Sequence, residues 1–222
     1  MQGKLIVIDG LDSSGKETQS RMLEEHFKKE GVNCRRVEFP NYKSESSTLV
    51  KMYLRGDFGS NASEVNPYAA SSFYAVDRYA SFTLDWKSDY ESDKIIVADR
   101  YATSKSIYQT EKIAEADWDS YLDWSADFEY NKLGIPKPDA VIYLDMPVDI
   151  SQKLMTGRYG GNESKKDVHE ADVAFLEKCR KSALYAASRQ GWHIVECSNG
   201  KEPYSIEKIH NEIMKIVDEE LC

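Results

Sequence analysis

A chain of 222 residues, of which 41% are hydrophobic, can bury a sizeable core and is expected to form a single domain over residues 1–222. Its formal net charge of −9 argues against a general nucleic-acid-binding surface, because a phosphate backbone requires a basic footprint. No apolar run reaches the roughly 18 residues that a membrane-spanning helix needs, so we expect no membrane partner.

The cysteines and the first residues indicate the compartment. The four cysteines, Cys34, Cys179, Cys197 and Cys222, are scattered and form no C-x-x-C pair, which disfavours a zinc site and a disulfide framework. The opening MQGKLIVIDG reaches a polar loop too soon for a signal peptide. We therefore expect a reduced, cytoplasmic protein.

Five short apolar runs alternate with longer stretches of helical periodicity. The runs predict buried strands, because they are rich in β-branched residues. They lie at residues 4–9, 34–39, 94–99, 140–145 and 193–197. The stretches between them predict helices at 16–30, 46–55, 66–90, 118–130, 148–155, 171–190 and 204–220. This alternation predicts an α/β fold in which helices cover both faces of a parallel sheet.

One irregular stretch, TGRYGGNESKKDVHE at residues 156–170, separates two predicted helices. It is rich in glycine and lysine and lacks apolar periodicity. We interpret it as a mobile lid rather than a domain boundary, because few of its side chains can be buried without a ligand.

The segment between the first strand and the first helix matches the phosphate-binding pattern G-x-x-x-x-G-K-[ST] except at its last position. In this context successive backbone N–H groups and the helix N-terminus face one anion. Lys16 is expected to reach the outer phosphates of a nucleotide. The predicted nucleotide-binding residues of the loop are Gly10, Leu11, Asp12, Ser13, Ser14, Gly15, Lys16, Glu17 and Thr18.

Glu17 stands where the pattern has a hydroxyl that binds Mg²⁺. Two interpretations remain open. In the first, Glu17 faces solvent and Thr18 or water holds the metal. In the second, the Glu17 carboxylate is itself a ligand of the metal, since Mg²⁺ readily accepts carboxylate oxygen.

The loop sequence GLDSSGKETQ resembles the form found in the thymidylate kinase family, G-x-D-x-x-G-K-[ST]-T-Q. Further stretches are similar to that family in order and spacing. They are EFPNY (38–42), FYAVDRY (73–79), VADRYATSKSIYQ (97–109), PKPDAVIYLDMP (136–147) and DVHEADVAFLEKCRKSALYAA (167–187). Together these stretches span nearly the whole chain.

The resemblance implies a P-loop nucleotide kinase fold, with a five-stranded parallel sheet flanked by helices and a lid. It also implies an activity: transfer of the γ-phosphoryl group of ATP to dTMP, giving dTDP and ADP for dTTP synthesis, with Mg²⁺ as cofactor. ATP and dTMP are then the expected partners.

Phosphoryl transfer depends on positioning and charge stabilisation, so cations should line the site. Arg78 and Arg100 are the candidates for the acceptor phosphate, and Arg100 follows a strand end, where doubly wound sheets bind ligands. The resemblance implies that Asp12 contacts the deoxyribose 3′-hydroxyl or the acceptor arginine. It also places Asp99 near Mg²⁺ and the substrate. With Lys16, we predict Asp12, Asp99 and Arg100 as catalytic residues.

A pyrimidine base requires an aromatic face and hydrogen-bonding groups at its edge. By resemblance the aromatic face belongs to Tyr74, or to Phe73 if the helix register differs. The remaining base-pocket positions are matched by Phe39, Ser104, Tyr108 and Gln109. For Phe39 and Tyr108, an ordinary place in the core is the alternative.

The family's extra arginine lies either in the loop or in the lid. The loop position is Ser13 here, and the lid carries Arg158, Lys165 and Lys166. DVHE replaces the commoner D-R-[IY]-E, so the lid arginine is displaced or replaced by lysine. Lysine lacks the bidentate geometry of arginine, so that change is not neutral. Arg158 is the predicted ATP-binding residue of the lid.

Two other functions are compatible with these residues. A deoxynucleoside kinase would phosphorylate a 5′-hydroxyl, but two acceptor-site arginines favour a substrate that already carries phosphate. A non-catalytic nucleotide-binding protein is suggested by Glu17 and the unusual lid. By resemblance, the chain could also form a homodimer through helices beside the acceptor site.

Overall fold

The computed structural model describes residues 3–59, 61, 64–158 and 172–221, with the side chain of Arg158 excepted. Five strands form one parallel sheet in the order β2-β3-β1-β4-β5, which confirms the predicted sheet. The strands are β1 (Leu5–Gly10), β2 (Cys34–Glu38), β3 (Ile95–Asp99), β4 (Ala140–Asp145) and β5 (His193–Glu196).

All the α-helices except α5 lie in or close to the predicted stretches. They are α1 (Lys16–Lys29), α2 (Thr48–Leu54), α3 (Pro67–Ser81), α4 (Lys87–Glu91), α5 (Ser104–Tyr108), α6 (Trp118–Ala126), α7 (Val148–Arg158), α8 (Val173–Gln190) and α9 (Ile206–Leu221). A π-helical segment, Phe82–Trp86, joins α3 to α4, so the long helix predicted at 66–90 is one continuous run of three segments. A second π-helical segment, Asp127–Lys132, continues α6.

Helix α5 was not predicted. It has five residues, too few to show helical periodicity, and it is buried on several sides rather than on one stripe. Its position directly after β3 brings its side chains to the carboxyl edge of the sheet.

The core lies on both sides of the sheet, and β1 contributes to both. Leu5 and Val7 pack into the layer that contains α5 and α8, whereas Ile6 and Ile8 pack into the layer that contains α1 and α9. Successive strand residues point to opposite faces, so a strand covered on both faces must be apolar throughout.

The predicted lid is only partly covered by the described residues. Residues 156–158 form the end of α7, and the rest of the lid, with Lys165 and Lys166, lies outside them. Across the ranges described, no helix is both long and apolar enough to cross a membrane.

Candidate active site

The phosphate loop connects β1 to α1 and has the backbone of an anion cradle. Ser13 and Gly15 have positive φ angles of 59° and 98°, conformations that turn successive peptide groups into a concave nest. A Cβ on Gly10 would lie 2.6 Å from Ser14 Oγ and 2.8 Å from the Leu144 carbonyl oxygen, so only glycine fits there. Within the described ranges the hydroxyls of Ser13 and Ser14 are buried without hydrogen-bond partners, as expected where a phosphate binds.

Lys16 closes over this loop from the first turn of α1. Its ammonium donates a 2.6 Å hydrogen bond to the Leu11 carbonyl, and the side chain is buried. Burial, helped by the neighbouring charge of Arg100, lowers the pKa of Lys16 to about 8. Glu17 is exposed on the same turn, and Thr18 is half-buried.

Asp12 joins the loop to the segment after β3. Its carboxylate forms an ion pair with Arg100 and accepts a 2.9 Å hydrogen bond from the Tyr108 hydroxyl. Burial raises the pKa of Tyr108 well above its ordinary value, so the hydroxyl keeps its proton and remains a donor. The three predicted residues therefore form one hydrogen-bonded unit.

Asp9, which the sequence did not single out, makes a second connection between these segments. Its buried carboxylate accepts hydrogen bonds from Thr103 Oγ1 at 2.7 Å, Ser104 Oγ at 2.8 Å and the Gly10 N–H at 2.9 Å. Burial raises its pKa above the ordinary value. The sequence contained one indication of this role, because Asp9 is the only charged residue in the otherwise apolar strand β1.

Asp99, the predicted acid at the end of β3, is held by an arginine that was also missed. Arg36 Nη2 donates to Asp99 Oδ2 at 3.0 Å, and Arg36 Nε donates to Ser20 Oγ at 2.8 Å. A cation at Asp99 Oδ2 would therefore compete with Arg36.

A pocket opens beside the loop, between Asp12 and helix α3. Every predicted substrate-binding residue except Phe73 lines it. Its walls also include five residues that were not predicted. The full lining is Asp12, Phe39, Pro40, Tyr42, Leu54, Tyr74, Arg78, Arg100, Tyr101, Ser104, Lys105, Tyr108 and Gln109.

Phe73 requires a correction. Its ring packs 5.2 Å from that of Phe58 and 6.4 Å from that of Tyr53, away from the pocket. Adjacent residues of a helix point about 100° apart, and in this helix Tyr74 lines the pocket whereas Phe73 packs against Phe58 and Tyr53. Tyr74 therefore remains the candidate for the aromatic face of the base pocket.

Phe39 directly follows β2 and packs against a residue that follows β3. Its buried ring lies 5.7 Å from that of Tyr101. Asp77 of α3 fixes the next residues, because it accepts hydrogen bonds from the Asn41 N–H at 2.8 Å and Ser46 Oγ at 2.6 Å.

Arg78 lies in the pocket wall within a buried cluster of three charges, the Glu129 cluster (Arg78, Lys105 and Glu129). Arg78 Nε donates to Glu129 Oε2 at 3.2 Å and Nη2 donates to Oε1, while Lys105 Nζ lies 2.6 Å from Oε1. Burial alone would raise the pKa of Glu129, but the two cations outweigh it and the pKa is lowered.

The Glu129 cluster changes the interpretation of Arg78. Arg78 and Arg100 were both predicted to bind the acceptor phosphate, and each is paired with a carboxylate, but the Arg78–Glu129 pair is almost completely buried whereas the Arg100–Asp12 pair is partly exposed. Glu129 lies on the π-helical segment after α6, far along the chain, where no local pattern marks it as functional.

Comparison with known proteins shows which family this sequence resembles. The profile described as thymidylate kinase matches residues 8–213. A probable thymidylate kinase of Thermococcus onnurineus is 30% identical, covering 97% of this chain and 98% of the relative. A thymidylate kinase of Mycobacterium tuberculosis is 28% identical over 85% of this chain and 87% of its own length.

A solved structure, that of thymidylate kinase from Candida albicans, has a similar fold. The TM-score is 0.70 with 20% sequence identity, and the alignment covers 98% of this chain and 92% of the other. Because the family profile spans nearly the whole sequence, the chain belongs to the thymidylate kinase family.

Proposed function

We propose that the protein transfers the γ-phosphoryl group of ATP to dTMP, giving dTDP and ADP. One observation carries the proposal: the ion pair between Asp12 and Arg100 joins the phosphate loop to the pocket. A donor phosphate in the loop and an acceptor in the pocket would then meet at this pair, as phosphoryl transfer requires.

The loop residues bind and orient the donor. Backbone N–H groups from Gly10 to Lys16 and the N-terminus of α1 surround the phosphates of ATP. The Lys16 ammonium leaves the Leu11 carbonyl for the outer phosphates, where negative charge builds up during transfer. We assign a supporting role on ATP to the lid, including Arg158.

Arg100 is the residue that we assign to the acceptor phosphate. It lies at the carboxyl end of β3 beside the loop, and Asp12 and Tyr108 orient its guanidinium. Arg78 is compensated by Glu129 and lies beside Tyr74 on α3, so we assign it to the nucleoside end of the pocket.

The donor set near the loop suits Mg²⁺, which prefers carboxylate and hydroxyl oxygens and keeps several water or phosphate ligands. Across the described part of the chain no cluster of three or more acidic, His or Cys side chains could hold a metal, so nucleotide phosphates would complete the coordination. Glu17 and Asp99 are the proposed protein contacts. The cation would neutralise charge on the phosphates.

An assay of ADP release tests the proposed function. The enzyme is supplied with ATP and Mg²⁺, and with dTMP, thymidine or no acceptor. Release that depends on dTMP supports the proposal. Release with thymidine but not dTMP would indicate a deoxynucleoside kinase, and no release with any acceptor would indicate a binding protein.

Glu17→Gln should raise the free Mg²⁺ required for half-maximal rate, if the carboxylate helps to hold the metal. Its charge beside a polyphosphate is repelled unless a cation lies between them. Glu17→Ser, which restores the common pattern, should keep activity. The measurement is initial rate against free Mg²⁺.

Thr18→Val separates the two interpretations of the loop. If Glu17 only faces solvent, the Glu17 variants keep the wild-type Mg²⁺ curve and Thr18→Val becomes the damaging change. An unchanged curve for Glu17→Gln rules out the metal role.

Arg100→Met should weaken dTMP binding by roughly 10- to 100-fold, the effect of losing a charge-assisted hydrogen bond, and should leave ATP affinity nearly unchanged. Calorimetric titration of each nucleotide measures both effects. Arg35→Met is the matched control, because Arg35 pairs with Asp85 and Asp89 outside the pocket. Equal losses for ATP and dTMP would show that Arg100 maintains the fold instead.

A homodimer and a cytoplasmic location also belong to this proposal. Val76, Tyr79 and Leu84, on α3 and the π-helical segment after it, are exposed apolar side chains beside the acceptor pocket. They supply a surface for a second copy of the chain, and sedimentation velocity would measure that association.

A further inference from the structure

Arg100, the residue assigned to the acceptor phosphate, has a strained backbone. Its φ angle of 63° lies in the left-handed region, which a residue with a side chain rarely adopts. It belongs to the short turn of residues 100–103, between β3, which ends at Asp99, and α5, which begins at Ser104. A backbone conformation of this kind persists only where the surrounding structure holds it, so the contacts of this turn determine how Arg100 is presented.

Two neighbouring residues of β1 hold the two ends of this turn. At its start, the Arg100 N–H donates to the Ile8 carbonyl oxygen at 3.0 Å. At its end, Thr103 Oγ1 and Ser104 Oγ donate to the Asp9 carboxylate at 2.7 Å and 2.8 Å. The first attachment is made by backbone atoms and is open to any side chain at position 8. The second requires the carboxylate of Asp9.

The Asp9 carboxylate is suited to this attachment. It is fully buried, and its negative charge interacts favourably with the guanidinium of Arg100. A buried carboxylate is unfavourable unless its oxygens accept hydrogen bonds, and here the turn and the Gly10 N–H supply the donors. Asp12 and Tyr108 orient the guanidinium of Arg100, whereas Asp9 fixes the backbone from which that side chain extends.

We propose that Asp9 is a positioning residue for the acceptor: its carboxylate fixes the turn of residues 100–103 and thereby presents Arg100 to the phosphate of dTMP. The inference rests on the proposed function, because it concerns the phosphate that Arg100 is assigned to bind. A turn released at Thr103 allows the Arg100 backbone to relax from its strained conformation, and the guanidinium is then in place for the phosphate less of the time. The nucleoside part of dTMP, which other pocket residues contact, should be affected less.

Thr103→Val tests the proposal without a change of charge. Valine has nearly the shape of threonine but lacks the hydroxyl, and Thr103 is buried and does not line the pocket. Calorimetric titration compares the affinities for dTMP, thymidine and ATP. We expect dTMP binding to weaken by roughly 3- to 30-fold, part of the usual effect of losing a hydrogen bond to a charged group, and thymidine and ATP binding to change by less than about twofold. Thr103→Ser, which keeps the hydroxyl, should bind dTMP as the wild type does.

Thr110→Val is the matched control. Thr110 is also fully buried, two residues after the end of α5, but its hydroxyl has no hydrogen-bond partner among the residues that the structure describes. The same exchange of hydroxyl for methyl therefore removes no attachment, and all three affinities should equal those of the wild type.

Asp9→Asn tests the carboxylate itself. This variant removes a negative charge close to Arg100, and that change alone favours the binding of an anion. Weaker dTMP binding by Asp9→Asn, with a fall in the ratio of dTMP to thymidine affinity, therefore reports the loss of positioning. Unchanged or tighter dTMP binding would contradict the proposal.

The outcomes separate the two proposals. Wild-type enzyme that does not phosphorylate dTMP overturns the proposed function. Wild-type enzyme that acts on dTMP, with a folded Thr103→Val variant that keeps wild-type dTMP affinity or loses dTMP and thymidine by the same factor, overturns the role of Asp9 alone. Thermal melting establishes that the variants are folded, and Asp9→Asn decides the question if Thr103→Val is not.

Discussion

Lys16→Met should lower kcat by roughly 100- to 1,000-fold, the usual cost of losing a donor that stabilises charge in the transition state. Lys16 arches over the phosphate loop, and its ammonium can follow charge that builds between the outer phosphates of ATP. ATP affinity should fall much less than kcat, because the loop N–H groups still hold the ground state. Coupled ADP release gives kcat, and calorimetric titration gives the ATP affinity.

The pH dependence supplies a second test of Lys16. Its pKa of about 8 means that the ammonium is lost as the pH rises through that value, and bound phosphates favour the charged form. ATP affinity of the wild type should therefore weaken above pH 8, and this dependence should be missing from Lys16→Met. Lys28→Met, an exposed position on the same helix, should retain wild-type behaviour. A near-normal kcat in Lys16→Met would remove the phosphate-loop assignment.

Glu129→Met should lower the free energy of unfolding by about 3–5 kcal/mol, because it leaves two buried cations without their carboxylate. Arg78, Lys105 and Glu129 are almost completely enclosed, and solvent cannot replace the lost partner. Urea unfolding followed by circular dichroism measures the loss. For a chain of this length, the expected loss in the free energy of unfolding corresponds to a fall of roughly 6–20 °C in Tm.

Two further variants identify the cause of that loss. Asp127→Asn removes a carboxylate from the same π-helical segment, but its ion pair with Lys132 is exposed, so stability should change little. Adding Lys105→Met to Glu129→Met removes one of the stranded cations and should recover part of the stability. A single Glu129→Met variant as stable as the wild type would contradict the account of the cluster as charge-compensated.

The elements that sequence patterns located are those whose physical cause is local. The phosphate loop could be predicted because Gly10, Gly15 and Lys16 meet steric and electrostatic needs that neighbouring residues define. The central strands β1, β3 and β4 could be predicted because a strand buried on both faces is apolar along most of its length. The family resemblance, which uses the same ordered motifs, is confirmed by the profile match.

The pocket was partly predictable by the same means. Tyr74, Arg100, Ser104 and Tyr108 belong to motifs of fixed spacing, and in the structure all four line the same pocket. Motif spacing alone could not decide whether Tyr74 or Phe73 lines the pocket. The rotation of α3 against the sheet decides it, and packing in the assembled core sets that rotation.

Other features depend entirely on tertiary structure. Arg36 meets Asp99 only because β2 pairs with β3 in register, and Asp9 receives Thr103 and Ser104 only because α5 folds back on β1. Arg78, Lys105 and Glu129 come from three separate elements. Lys105 and Glu129 look like surface charges in their own segments, and the sequence marked Arg78 without either partner. Burial in the folded chain removes water from around these side chains, so the three charges must compensate one another. No local sequence pattern indicates this requirement, because the three residues meet only in the folded chain.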